Sequence, residues 1–263
     1  QRAQVIAQVN TPRQRQRFLN ACRGKLCCGA TLPLALQLLG KAQPGRFFAG
    51  PTLALDIGGR TAWAAGHANP EELASFLNFC GCRAVILDEA ECPPPVGWQK
   101  TCDHTIFGLA AGEQLPLPAQ TEAQKALWDS LTFVEDPASG PVAENLFPDR
   151  PARRDDFYSE LCTKRSRGKA LVWTLEQGGN IVCTVGAYAL CNGQAYMACG
   201  QTAEALRGQR VGGRLIVQMA NALSAQGDQP VFLCSPERVH FYTQLGFHPL
   251  GTLARYESPI GKD

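Results

Sequence analysis

The stretch from Gln201 to Phe247 constrains the fold of this chain more than any other. It runs QTAEALRGQRVGGRLIVQMANALSAQG, continues through PVFLCS and ends in ERVHFYTQLGF. The pattern reads as a glycine-broken turn, an apolar helix, a buried strand and a helix carrying a Phe-Tyr pair. Val211, Leu215, Met219 and Ala222 recur at helical spacing, so the first helix is expected to bury one face. From Ala205 to Gly227 there is no Asp or Glu, while Arg207, Arg210 and Arg214 are all cationic. A helix start ordinarily favours carboxylates, because its unpaired N–H groups and macrodipole make that end positive. A start that adds arginines instead suits an anion from outside the chain, such as a phosphate. An ordinary tight turn with solvated arginines leaves the same trace, and the turn by itself does not separate the two.

Composition narrows the class. At 263 residues the chain is long enough for one large domain or two ordinary ones. A hydrophobic share of 45% and a charged share of 18% describe a globular protein with a real core. The net charge of +2 lacks the basic footprint of bulk nucleic-acid binding, so no nucleic-acid partner is expected. No apolar run reaches the ~18 residues of a membrane span, and no membrane association is expected. The opening QRAQVIAQVNTPRQRQRF is polar and basic, without the apolar middle of a secretory signal.

Cysteine placement points the same way. Cys162, Cys183, Cys191, Cys199 and Cys234 fall in helix- or strand-like stretches, where a reduced thiol acts as a small hydrophobe. Cys80, Cys82, Cys92, Cys102 and His104 are the one cluster that could be read as metal ligands, but their spacing matches no standard zinc pair. The expectation is a cytoplasmic protein with reduced thiols and no metal.

Three segments follow along the chain: 1–115, a connector at 116–150 with a helix near Glu122–Leu131, and 151–263. In the first, two helices precede strands at Thr52–Ile57 and Thr61–Ala65, with Gly58-Gly59 as the hairpin turn. Asn69-Pro70-Glu71-Glu72 opens a helix that runs to Phe79, with Asn69 as its cap. Strands are expected at Arg83–Leu87 and Thr105–Leu109. The connector is marked by recurring prolines from Pro116 to Pro151. In the third segment a helix near Arg154–Lys164, with Asp155 and Asp156 in its first turn, precedes strands at Ala170–Leu175, Ile181–Leu190 and Ala195–Thr202. Gly178-Gly179-Asn180 and Asn192-Gly193 are the hairpin turns between them. The arginine turn, its helix, a strand at Val231–Cys234, a helix at Glu237–Leu245 and a strand at Gly251–Tyr256 complete the order. The fold class expected is α+β, a mixed and mainly antiparallel sheet flanked by helices, in two domains.

Residues 150–258 resemble the GNAT superfamily of acyl-CoA-dependent N-acyltransferases. That family's phosphate signature is Arg or Gln, two residues, Gly, one residue, then Gly or Ala. Arg207, Val211 and Gly212 fit it, and Arg210 replaces the first glycine. Thr202 stands five residues before Arg207, as at the family's strand exit, and Phe241-Tyr242-Thr243-Gln244-Leu245-Gly246-Phe247 looks like its second signature. The resemblance implies acetyl-CoA as cosubstrate and an amine acceptor, a small molecule or a peptide. It implies that Gly200, Gln201 and Thr202 offer backbone groups to the pantetheine arm. Arg207, Gly208, Gln209, Arg210, Val211, Gly212 and Gly213 would cradle the pyrophosphate. Tyr242 would be the general acid that protonates the departing thiolate, a role typically worth ~10²–10⁴-fold. Ser235 stands where many members have an Asn that touches the cofactor.

The general base stays open among Glu176, Glu204 and Glu237, a water relay, or an amine that arrives neutral. His240 and His248 flank the tyrosine motif and are read as structural. The first segment has a similar element order without a phosphate turn, so it reads as a degenerate or accessory GNAT-like domain that helps select the acceptor. Two other readings compete: a tandem aminoacyl transferase using charged tRNA, and a non-enzymatic acyl-CoA sensor.

Overall fold

The computed structural model describes residues 5–259, apart from the side chain of Cys199, so the reading of Cys199 as a buried thiol lies outside the described residues. The described residues fall into two compact units. The N-terminal unit holds those up to Phe107 together with Leu233–Val239 and Pro249 onward, and the C-terminal unit holds Gly108–Phe232 and His240–His248.

In chain order the first elements are β1 (Ala7–Gln8), α1 (Pro12–Cys22), α2 (Cys28–Leu39), β2 (Phe47–Ala49), β3 (Thr52–Gly58), β4 (Thr61–His67), α3 (Pro70–Phe79), β5 (Ala84–Leu87) and β6 (Gln99–Gly108). Then come α4 (Glu122–Ser130), β7 (Thr132–Val134), α5 (Ser139–Leu146), α6 (Pro151–Ser166), β8 (Leu171–Gln177), β9 (Asn180–Cys191), β10 (Gln194–Thr202), α7 (Val211–Ala225), β11 (Gln229–Cys234), α8 (Val239–Gln244) and β12 (His248–Glu257).

Strands of the N-terminal unit lie in the order β1-β2-β3-β4-β5-β12-β6. Neighbours from β1 to β4 are antiparallel, β4 and β5 are parallel, and β5 and β12 are antiparallel. The C-terminal unit is ordered β11-β10-β9-β8-β7, antiparallel except for the β10–β11 pair. Each unit is therefore a mixed, mainly antiparallel sheet with helices packed on it, as expected. No helix of the described residues is long and apolar enough to cross a membrane.

Local chemistry explains most of these elements. Thr11 caps α1 in a reciprocal capping box with Gln14, followed by Pro12. Both residues of the Gly178-Gly179 turn have positive φ (59° and 80°), as do both of Asn192-Gly193 (52° and 76°), the type I′ geometry that suits a twisted hairpin. In the N-terminal unit Leu53, Leu55, Leu73, Leu77, Val85 and Leu87 form one apolar cluster between sheet and α3. On the opposite face Phe47 meets Phe18 of α1 edge-on at 6.0 Å. Its strand partner Asp56 is buried there and receives a two-pronged pair from Arg46, at 2.6 and 3.2 Å.

Several details differ from expectation. The first hairpin turns at Gly59-Arg60, since Gly58 itself pairs with Thr61. α6 starts earlier, at Pro151, whose fixed φ suits the first helical position, so no acid lies in its first turn. On α7 the buried stripe runs Val211, Leu215, Met219 and Leu223, with Ala222 beside it. β6 begins at Gln99, ahead of the expected Thr105. The elements β1, β2, β7 and α5 carried too few residues to show a period of their own.

Candidate functional site

The site begins where β10 loses a neighbour. Among the described residues β10 pairs with β11 over Gln194–Tyr196, and it runs on to Thr202 beside β9 alone. The β9 register shifts between Ala198 and Gln201, so Gly200 sits in an irregular stretch of backbone. Such a stretch leaves strand N–H and C=O groups for a ligand to pair with. Gln201 and Thr202 then point to opposite faces, as neighbours on a strand must. The Gln201 side chain donates to the Asn145 carbonyl of α5 at 3.2 Å. Thr202 faces α7, where a Cβ on Gly212 would fall 2.5 Å from its hydroxyl oxygen.

That close approach explains the glycine of the turn. Gly212 lets the first turn of α7 sit against the end of β10, and Arg207 Nε ties the turn down by donating to the Thr202 carbonyl at 3.2 Å. Gly208 has φ +79°, and Arg210 adopts φ 63°, ψ 13° as the N-cap of α7. Arg210 thus occupies the left-handed region where glycine is the default, at a cost of roughly 1–2 kcal/mol. No side chain caps α7, and its first turn contains no acid. Residues 207–210 are exposed, and among the described residues Arg207, Arg210 and Arg214 form no ion pair. The result is an open, positively biased helix start, which suits a phosphate group.

The tyrosine lies on the adjoining helix. Gly213 is buried, and a Cβ there would stand 3.2 Å from Leu245 and 3.5 Å from Phe241, so this glycine admits α8 against the start of α7. Tyr242 is half-buried and its ring packs against Phe232, Phe241 and Phe247, with centroids at 4.7, 5.0 and 6.4 Å. These contacts fix the ring plane.

The proline-rich connector is part of this unit, which sequence reading did not reveal. Asn221 of α7 clamps Leu115 by accepting its N–H and donating to its carbonyl, at 2.8 and 2.9 Å. Arg210 donates to the Ala119 carbonyl at 2.7 Å and Arg214 to that of Pro118 at 3.3 Å. The Arg214 guanidinium also lies 5.3 Å over the Trp128 ring. These acceptors are neutral, so the arginines are oriented without losing their charge. A half-buried asparagine beside the apolar stripe of α7 was the available signal.

The candidate bases are scattered. Glu176 is half-buried on β8, and Glu204 is exposed just before the arginine turn. Glu237 belongs to the N-terminal unit, where the Ser235 hydroxyl donates to it at 2.6 Å and holds its carboxyl below the usual range. A carboxyl lowered in this way is a weak proton acceptor. Among the described residues no three His, Cys, Asp or Glu side chains gather as a metal site.

No family model matches the chain, and no curated protein matches it in sequence. Solved structures do match it in fold. A tandem GNAT protein from the clavulanic acid biosynthesis pathway is similar over 98% of this chain and 99% of its own, with a TM-score of 0.62 at 13% identity. A GCN5-related N-acetyltransferase from Sphaerobacter thermophilus is similar over 96% of this chain and 94% of its own, with a TM-score of 0.61 at 13% identity. Another, from Kribbella flavida, is similar over 88% and 96%, with a TM-score of 0.59 at 16% identity. Over nearly its whole length, this chain has the fold of the GNAT acetyltransferases in their tandem form.

Proposed function

We propose that the chain transfers an acyl group, acetyl by default, from acyl-CoA to the amine of a small molecule or peptide. The observation that carries this reading is the uncapped, acid-free start of α7, with Arg210 held in a left-handed conformation beside the end of β10, which among the described residues pairs with β9 but no longer with β11. Backbone strain of this kind persists where the surroundings hold it in place, and it clusters at functional sites. Solved proteins of the same fold described as N-acetyltransferases add support.

In this reading the N–H groups of Gly208 and of residues 210–213, with the guanidiniums of Arg207 and Arg210, take the pyrophosphate, while the Gln209 N–H closes the turn on the Leu206 carbonyl. Gly200, Gln201 and Thr202 pair with the amide-bearing arm as a strand would. The thioester supplies an activated acyl carbon and a thiolate leaving group. The amine nitrogen bonds to the acyl carbon as the C–S bond breaks, and Tyr242 delivers its phenolic proton to the sulfur. The nitrogen loses its proton to water or to a carboxylate, and solvent restores the tyrosine. Free thiols among the described cysteines support a reducing compartment, the cytoplasm.

Calorimetry with acetyl-CoA tests the reading. The wild-type chain is expected to bind, and the double substitution Arg207→Ala, Arg210→Ala to weaken binding by roughly 10–100-fold, as for lost charge-assisted hydrogen bonds. No binding by the wild type would overturn it.

A further inference from the structure

A cavity of about 220 Å³ lies entirely within the N-terminal unit. It opens where β4 and β5 stop pairing. The parallel register covers Thr61–Trp63 against Ala84–Ile86, and the residues beyond, Ala64 to Gly66 and Asp88, line the cavity. Gly66 has φ +88°, and a Cβ there would fall 2.0 Å from the Thr52 carbonyl oxygen, so only glycine permits this strand end.

The link between α1 and α2 supplies another part of the lining. Cys27 adopts φ 63°, ψ −65°, and the Cys28 N–H donates to the Leu26 carbonyl at 2.7 Å. This is the rare positive-φ γ-turn, which folds Gly24–Leu26 back to form that part of the lining.

The lining is acidic on balance. Lys25 is neutralised by its ion pair with Glu91. Asp88 accepts the Ala90 N–H at 3.0 Å and forms no ion pair among the described residues. Asp88 lines the cavity together with the buried Cys28 thiol, which burial first, and then Asp56 and Asp88, push up to about 12. An anion is therefore disfavoured here and a cation favoured. Leu26, Ile106, Leu250 and Leu253 supply an apolar wall, and the volume lies below the ~300–1,000 Å³ of pockets for drug-sized ligands.

We propose that this cavity binds a small aliphatic molecule bearing a primary ammonium, with Asp88 as counter-ion and the Leu250–Leu253 wall against the aliphatic body. The proposal does not depend on the acyl-CoA reading. A charge-assisted hydrogen bond from the ammonium to Asp88 fixes the orientation, and the paired Lys25 and Glu91 close one side.

Calorimetric titration of the full chain with L-leucinamide, isobutylamine and 1,4-diaminobutane tests it. At least one of these is expected to bind. The same body without the ammonium, 4-methylpentanamide, should bind roughly tenfold more weakly than leucinamide, and 4-methylpentanoate should not bind. Asp88→Asn keeps an oxygen for the Ala90 N–H, so the fold should persist while amine affinity falls about tenfold. Leu250→Trp, at the exposed rim, should block binding without touching the charge. Acetyl-CoA affinity should be unchanged in both variants, which separates this proposal from the reading of the C-terminal unit. No amine binding, equal binding of the carboxylate, or Asp88→Asn and Leu250→Trp both binding like wild type would overturn the proposal.

Discussion

The two units begin equivalent helices in opposite ways. In each, a hairpin is followed by a helix and then by a strand parallel to the second hairpin strand. α3 is closed at its start: the Asn69 side chain accepts the N–H groups of Glu71 and Glu72, at 2.9 and 3.1 Å, and both acids lie in the first turn. Glu72 also accepts the Ile6 N–H at 3.1 Å and is thereby occupied in holding the fold. α7 has no cap, no acid and a strained arginine at the same place. One backbone plan thus yields a sealed helix start in one unit and an uncapped, acid-free one in the other. The difference lies in a few side chains, because only the first turn of a helix has free N–H groups to assign.

The sharpest test of this asymmetry is catalytic. Tyr242→Phe is expected to lower turnover by ~10²-fold or more with acetyl-CoA affinity unchanged, read from steady-state rates beside calorimetry. An unchanged rate would remove the tyrosine from the chemistry.

Stability comes next. Gly66→Ala places a Cβ against backbone at positive φ and should cost about 3 kcal/mol or more in urea unfolding. Gly212→Ala meets only the movable Thr202 hydroxyl at negative φ, and about 1–2 kcal/mol is expected. Equal losses would mean that the two strand ends are built alike.

Arg210→Gly should relieve the left-handed strain, raising stability by roughly 1 kcal/mol while weakening acetyl-CoA binding. If stability and binding instead rise together, Arg210 is not a phosphate ligand.

The smallest effect concerns Glu113, just ahead of the connector. His248 Nε2 lies 2.5 Å from Glu113, and this contact, with the Ala110 N–H, lowers the Glu113 pKa. A lowered carboxyl pKa contributes stability above the unfolded value of about 4.3, and that contribution is lost as pH falls through the folded value. The pair is partly exposed, so Glu113→Gln should cost less than ~1 kcal/mol at pH 7. The difference from wild type should vanish at pH 3, and a loss that persists there would point to packing instead.

Much of the C-terminal unit was legible because its signals are local. The stripe on α7, the two positive-φ hairpins and the glycine turn each act within a few residues. The Asn69 cap was legible for the same reason. Gly212 stood out as part of the phosphate signature, yet its close approach to the Thr202 hydroxyl became evident only in three dimensions. The left-handed Arg210 was visible as a departure from a glycine pattern, but its carbonyl partner Ala119 lies 91 residues away. Asn221 and Leu115 are separated by 106 residues, and nothing near either one announces the other. The segment was therefore read only as a proline-marked connector with one helix, whereas its Pro118, Ala119 and Trp128 meet arginines at the start of α7.

By itself the sequence determined most helices, most strands, the α+β class and the acid-free, arginine-rich character of the turn before α7, because periodicity, capping and turn geometry are set by neighbours along the chain. Tertiary structure alone decided where parallel strands part, that Pro249 onward joins the N-terminal unit, and that Asp88, Lys25 and Glu91 surround one cavity. These depend on which distant segments pack together, a choice made by buried area and loop closure rather than by any local pattern.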